Sequence, residues 1–129
     1  MNVFILPFGK VNILESNIAE IIINDGVIID GSMVSAYRNL LRSHLTPPFS
    51  LLINKQHGYS YTFEAQTAMG ALNEDIDCRA VVVRSQSGEM ATEIVMDINK
   101  HNNWKIKIFK EREEGLNWLL MQQNNKSAI

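Results

Sequence analysis

The chain has little of what staples a protein or gives it a strong charge. A single cysteine, Cys78, leaves no intramolecular disulfide and no cysteine-based zinc site, which fits a reducing compartment. Twelve basic and fourteen acidic residues give a formal net charge of −2, scattered without a block of one sign. Nucleic acid and anionic membrane surfaces both call for a clustered Lys/Arg face, so neither is expected as a partner. No apolar run approaches a membrane span, and the opening Met-Asn-Val-Phe-Ile-Leu-Pro lacks a basic leader and a small-residue cleavage site, so the expected location is cytoplasmic. Also missing are G-x-G-x-x-G, a P-loop, G-x-S-x-G, H-E-x-x-H and any internal repeat. His44, His57 and His101 stand far apart without carboxylates at ligand spacing, so no metal site and no cofactor are expected.

What remains is an ordinary globular composition. Hydrophobic residues make up 46% and charged residues 20% of 129, enough to bury one core and too apolar for a disordered chain. Residues 10–14 and 18–23 are short Val/Ile-rich runs separated by Glu15-Ser16-Asn17, which predicts an antiparallel hairpin. Asn24-Asp25-Gly26 breaks the pattern, and Val27-Ile28-Ile29 is a further short extended piece ending at Asp30-Gly31. Ser32 reads as the N-cap of a helix with Met33, Tyr37, Leu40, Leu41 and His44 on one face, closed by Pro47-Pro48.

Residues 49–53 are continuously apolar, as suits a central strand covered on both faces. Residues 62–72 have helical composition, residues 79–83 (RAVVV) form a second buried-type strand, and Ser87 reads as the cap of a helix carrying Met90, Ala91, Ile94, Val95 and Ile98. Strict alternation in KIKIF, residues 105–109, predicts a sheet edge and a surface for homodimer formation. A last helix starts near Glu111, with Leu116, Leu119 and Leu120 inward and Glu111, Glu113 and Glu114 favouring its dipole. The predicted fold is therefore α/β, a mixed sheet with an N-terminal antiparallel hairpin and parallel βα units, helices packed on the sheet. It spans residues 1–121 as one domain, with 122–129 a polar, frayed tail.

That layout resembles a STAS domain, in which a Gly-x-Leu-Asp-type turn feeds the first helix, as Gly26-Val27-Ile28-Ile29-Asp30 does here. It is similar in particular to the small stand-alone bacterial anti-sigma-factor-antagonist (SpoIIAA-like) proteins. The residues that carry this are Thr62-Phe63-Glu64-Ala65, Arg79-Ala80-Val81-Val82-Val83, Ile106-Lys107-Ile108-Phe109 and the stretch from Glu113 to Leu119. The resemblance implies a non-catalytic, regulatory module that binds a protein partner. The Asp-Ser-Ser-Gly of classical antagonists, whose serine is phosphorylated, is absent, and the matching loop reads His57-Gly58-Tyr59-Ser60-Tyr61-Thr62.

Ligands of open α/β sheets gather at the carboxyl ends of parallel strands, which directs attention to the loop after residues 49–53. Its candidate binding residues are Lys55, His57, Tyr59, Ser60, Tyr61 and Thr62, with Ser60 and Thr62 the hydroxyls open to phosphorylation. Asp30, Ser85 and Ser87 end neighbouring strands and are secondary candidates, although capping explains Ser60, Thr62 and Ser87 equally well. The alternative function is a carrier or sensor of a small apolar, lipid-like ligand, held in a groove of Trp104 and Trp118 with Met90, Met96 and Met121. Cys78 reads as a small core residue, and no acid/base pair is inferred from the glutamates of the last helix.

Overall fold

Runs of isoleucine, valine and leucine build a six-stranded sheet in the computed structural model, which describes residues 2–72 and 74–127. In chain order the strands are β1 (Val3–Leu6), β2 (Gly9–Leu14), β3 (Ile18–Ile23), β4 (Ile28–Ile29), β5 (Phe49–Lys55), β6 (Ser60–Tyr61), β7 (Ile76–Val83) and β8 (Lys105–Phe109). The helices are α1 (Gly31–His44), α2 (Phe63–Ala68), α3 (Gln86–Ile98) and α4 (Arg112–Ser127), and a 3-10 turn at Met69–Leu72 prolongs α2. The sheet order is β1-β2-β3-β5-β7-β8, and β4 and β6 form a separate two-stranded ribbon. β1, β2 and β3 are antiparallel, whereas β3, β5, β7 and β8 are parallel, as strands joined through helical crossovers must be.

The predicted class and the central position of residues 49–53 are what the structure has. β1 is an addition: residues 3–6 pair with β2 and move the first sheet edge one strand outward. Its signal in the sequence is weak because Ile5 is 76% exposed and gives the strand little burial. KIKIF forms the opposite edge, with its lysines outward.

Helix packing divides the core in two. α1, α2 and α3 cover one face of the sheet, where Val34, Tyr37, Leu41, Ala65 and Val95 meet Ile21, Ile23, Phe49 and Leu51. α4 alone covers the other, with Leu119 on Ile18, Leu52, Ala80, Val82 and the fully buried Cys78. Gly115 sets that approach: a Cβ there would stand 3.2 Å from Leu52 Cδ1 and 3.3 Å from Val82 Cγ2. The helix also runs on to Ser127, so the polar residues from 122 belong to it, rather than to a frayed tail; residues 128 and 129 lie outside the described residues.

Two helix starts differ from expectation. Asp30, not Ser32, caps α1, its Oδ1 accepting from the Met33 amide at 3.0 Å while the Ser32 hydroxyl donates to the same oxygen. Ser85, not Ser87, caps α3, accepting from the Gly88 amide at 3.0 Å, whereas α4 opens at Arg112, beside Glu111 as expected. In both differing cases the sequence offers oxygen-bearing side chains two positions apart, and the earlier one reaches the free amide three residues on. Thr62 caps α2 through the Ala65 amide at 3.0 Å. Thr62→Ala is expected to cost about 1 kcal/mol, read as a lowered urea midpoint at unchanged m-value; a midpoint within error of the parent would remove the cap as a stabilising element.

Candidate functional site

Alternation along parallel strands sends every second side chain to the face covered by α1, α2 and α3. In register across that face lie Ala19, Leu51, Arg79 and Ile106, one strand each from β3, β5, β7 and β8. Arg79 is thus a charged member of an apolar row, and only 4% of it is exposed. Two residues beyond Ile53 on β5 the same alternation places Lys55, 7% exposed.

Between the sheet and the three helices these cations line an internal chamber of about 50 Å³. Ile21, Ile53, Val81, Val95 and Met69 supply apolar wall, and Tyr37, Tyr59, Tyr61 and Trp104 supply aromatic wall with polar tips. None of the lining residues is acidic. The Arg79 guanidinium lies over the Trp104 ring, with Cζ 3.8 Å from the ring centroid. Both of its terminal nitrogens, and the indole Nε1 of Trp104, are buried without a hydrogen-bond acceptor among the described residues. The Lys55 ammonium stands 5.4 Å from the Tyr59 ring centroid and 5.5 Å from that of Tyr61. The Tyr59 and Tyr61 hydroxyls are hydrogen-bonded at 3.2 Å.

The electrostatics follow from burial. Removal from water disfavours each charged form, pushing Lys55 down to about 8 and Arg79 down to about 10. Burial raises all three tyrosine hydroxyls well above their usual value, and Tyr37 feels both the Tyr61 hydroxyl and the Arg79 guanidinium. At neutral pH the phenols are donors and the two cations are charged.

The mouth lies at the carboxyl ends of β5 and β7. Lys55 and Tyr59, which line the chamber, also line an outer cleft of about 360 Å³ with His57, Arg84, Ser85 and Ser87. One side of that cleft is held by the Gly58 amide donating to Asp25 Oδ1 at 3.1 Å and the Gly26 amide donating to the Gly58 carbonyl at 2.7 Å. The expected loop is thus split by its alternation: Tyr59 and Tyr61 turn inward, and His57 and Ser60 are exposed. Ser60 and Ile28 pair in the β4–β6 ribbon, and the Thr62 amide donates to the Ile29 carbonyl at 2.9 Å. Asp30 and Thr62 act as caps, away from the chamber, whereas Ser85 and Ser87 stand at its mouth.

Arg79 and Tyr37 were not singled out as site residues from the sequence. The available signal was an arginine opening the otherwise apolar RAVVV of a doubly covered strand, where an unpaired charge has no structural use. The expected tryptophan–methionine groove does not form. Trp104 faces the chamber, Trp118 packs with Phe109 on the α4 face, and Met90 and Met121 are exposed. Among the described residues no carboxylate lies in ion-pair range of His57 and no His/Cys/Asp/Glu group forms a metal cluster. No described helix is long and apolar enough to cross a membrane.

Fold and site together define a mixed α/β domain with a cation-bearing internal chamber that opens at the carboxyl edge of its parallel strands. No family model, no curated protein and no solved structure matches the chain.

Proposed function

We propose that the protein is a non-catalytic binding domain, of STAS-like layout, that takes a small molecule into the chamber beneath its sheet. The observation that carries this is the Arg79 guanidinium, more than nine-tenths buried with two terminal nitrogens lacking an acceptor among the described residues. A buried charge costs several kcal/mol unless something answers it, and a bound ligand supplies the answer. Chamber size argues against the lipid-like ligand of the alternative drawn from the sequence. A cavity of about 150 Å³ is what benzene occupies, and this one is about 50 Å³.

Native mass spectrometry of freshly purified protein tests the proposal. A bound species of low mass is expected, lost on denaturation and absent from Ile53→Phe, whose added volume fills the chamber. A clean protein mass, together with no change in melting temperature across a library of small polar molecules, would overturn it.

One observation favours a second, protein-binding reading. Met90 is 57% and Ile94 55% exposed on α3, and Phe63 on α2 is 74% exposed beside Ile98. This apolar line, rather than the Tyr59 and Tyr61 side chains, is the surface on which a regulatory partner or a second copy would close. Ile94→Glu leaves small-molecule binding unchanged and abolishes a partner contact made there.

A further inference from the structure

We infer that the chamber's ligand is a compact monocarboxylate, its carboxylate held by the Arg79 guanidinium and the Trp104 indole and its short apolar body packed against the isoleucine wall. The inference rests on the chamber being a ligand site and adds the chemical class of what it takes.

Four features of the molecule converge on that class. Charge comes first, since two cations and no acidic side chain line the cavity, so the complementary occupant is an anion. Geometry comes second. Among the described residues that line the chamber, the fully buried donors without an acceptor are Arg79 Nη1, Arg79 Nη2 and Trp104 Nε1. The two terminal guanidinium nitrogens present parallel N–H groups that match the two oxygens of a carboxylate, and the indole N–H is a third donor beside them. Burial against the Trp104 ring already restricts the fork, so little side-chain entropy is lost when the anion arrives.

Polarity is the third feature. Ile21, Ile53, Val81 and Ile106 leave much of the wall without hydrogen-bonding capacity. Phosphate or sulfate would bury several oxygens against those side chains unpaired, whereas a carboxylate with a short hydrocarbon body leaves none. Size is the fourth. About 50 Å³ is a third of the roughly 150 Å³ cavity that benzene occupies, which limits the occupant to fewer heavy atoms than benzene has, the scale of acetate and propionate.

Position assigns Lys55 a different task from Arg79. Lys55 lies opposite Val83 and Arg79 opposite Leu51, four residues apart along the strands, about 13 Å by the strand rise. Arg79 is therefore the inner anchor. Lys55, lining both the chamber and the outer cleft, is the charge that an entering anion meets at the threshold. Tyr59 and Tyr61 flank it there, and their linked hydroxyls supply a donor on the path inward.

The test follows the Trp104 indole N–H resonance in the full chain while propionate, propionamide, octanoate and inorganic phosphate are titrated separately. Propionate is expected to saturate and to shift the Trp104 signal, with propionamide and phosphate at least tenfold weaker. Arg79→Met loses propionate binding at least tenfold, and Arg79→Lys recovers part of it because charge remains and the fork does not. Circular dichroism and melting temperature of the same samples show that the variants are folded.

Tight binding of propionamide in place of propionate would overturn the carboxylate, and tight binding of octanoate in its place would overturn the compact body; either leaves the chamber as a ligand site. Phosphate binding as tightly as propionate would do the same in favour of an oxyanion site. If none of the four probes, nor xenon as an uncharged probe of the cavity, moves the Trp104 signal, both the ligand class and the chamber as a binding site are overturned. If propionate binds but Arg79→Met binds it equally, the anchor is wrong and the inference falls.

Discussion

Arg79→Met is expected to make the protein more stable while depriving it of its ligand. Burial, only partly offset by Tyr37 and Cys78, lowers the guanidinium from 12.5 to about 10, which corresponds to about 3 kcal/mol held against the charged form in the folded state. Contact with the Trp104 ring returns about 2 kcal/mol in a desolvated setting. Methionine fills a similar volume with no charge to desolvate. The net gain is therefore about 1 kcal/mol, roughly 4 °C in melting temperature for a chain of this length. Scanning calorimetry of parent and variant without added ligand gives the answer. A lowered midpoint would mean that Arg79 supports the fold and is no binding residue kept at a cost in stability.

Lys55 adds a pH signature of the same kind. Its folded value of about 8 lies below the ordinary 10.5, so between those limits the unfolded chain binds the extra proton. Stability contributed at this position accordingly rises as the pH increases from about 8 to 10.5, and Lys55→Met flattens the rise.

Glu20→Ala is expected to act in the opposite direction and more strongly, costing about 3 kcal/mol. On the α4 face Glu20 is as buried as Arg79 is on the other, at 3% exposure, but its neighbours answer it. Arg112 at the start of α4 donates from Nε to Oε2 at 2.8 Å and from Nη2 to Oε1 at 3.1 Å. Asn54 on β5 donates to Oε2 at 2.9 Å and Asn12 on β2 to Oε1 at 3.1 Å. Removing the carboxylate strands three donor side chains and unties three strands from the first turn of a helix.

Burial by itself would raise the Glu20 carboxyl, but the hydrogen bonds from Arg112, Asn54 and Asn12 outweigh it and hold the group below its ordinary 4.5. A depressed folded value means that the contribution is complete above about 4.5 and is lost as the pH falls toward that lower value. Urea denaturation at neutral pH and at pH 4 measures both effects. A loss under 1 kcal/mol at neutral pH would show that the network contributes no more than a surface ion pair.

The two buried charges illustrate how differently one pattern can be used. Glu20 lies within IAEIII and Arg79 opens RAVVV, each a lone charge among apolar neighbours. One is a structural clasp and the other a binding group, and the difference lies wholly in what the far ends of the chain bring to them. Arg112 is 92 residues from Glu20, and no spacing rule reaches that far. Trp104 comes to Arg79 only because β8 pairs with β7 in the register that sets Ile106 beside it.

The sequence by itself determined the order of the elements other than β1 and β6, the antiparallel opening, the parallel crossovers and both faces of KIKIF, because hydrophobic periodicity and turn residues act over a few neighbours. It also pointed to the carboxyl edge of β5 and the loop that holds Lys55, Tyr59 and Tyr61, since that rule needs only the order of strands and helices. Only the tertiary structure decided that Tyr59 and Tyr61 point inward, that Trp104 and Trp118 lie on opposite faces of the sheet, and that the terminal nitrogens of Arg79 meet no acceptor among the described residues. Those outcomes depend on which strands become neighbours and which helices close over them. Such long-range pairings are fixed by the sum of many small burial terms, so no individual residue in the sequence announces them.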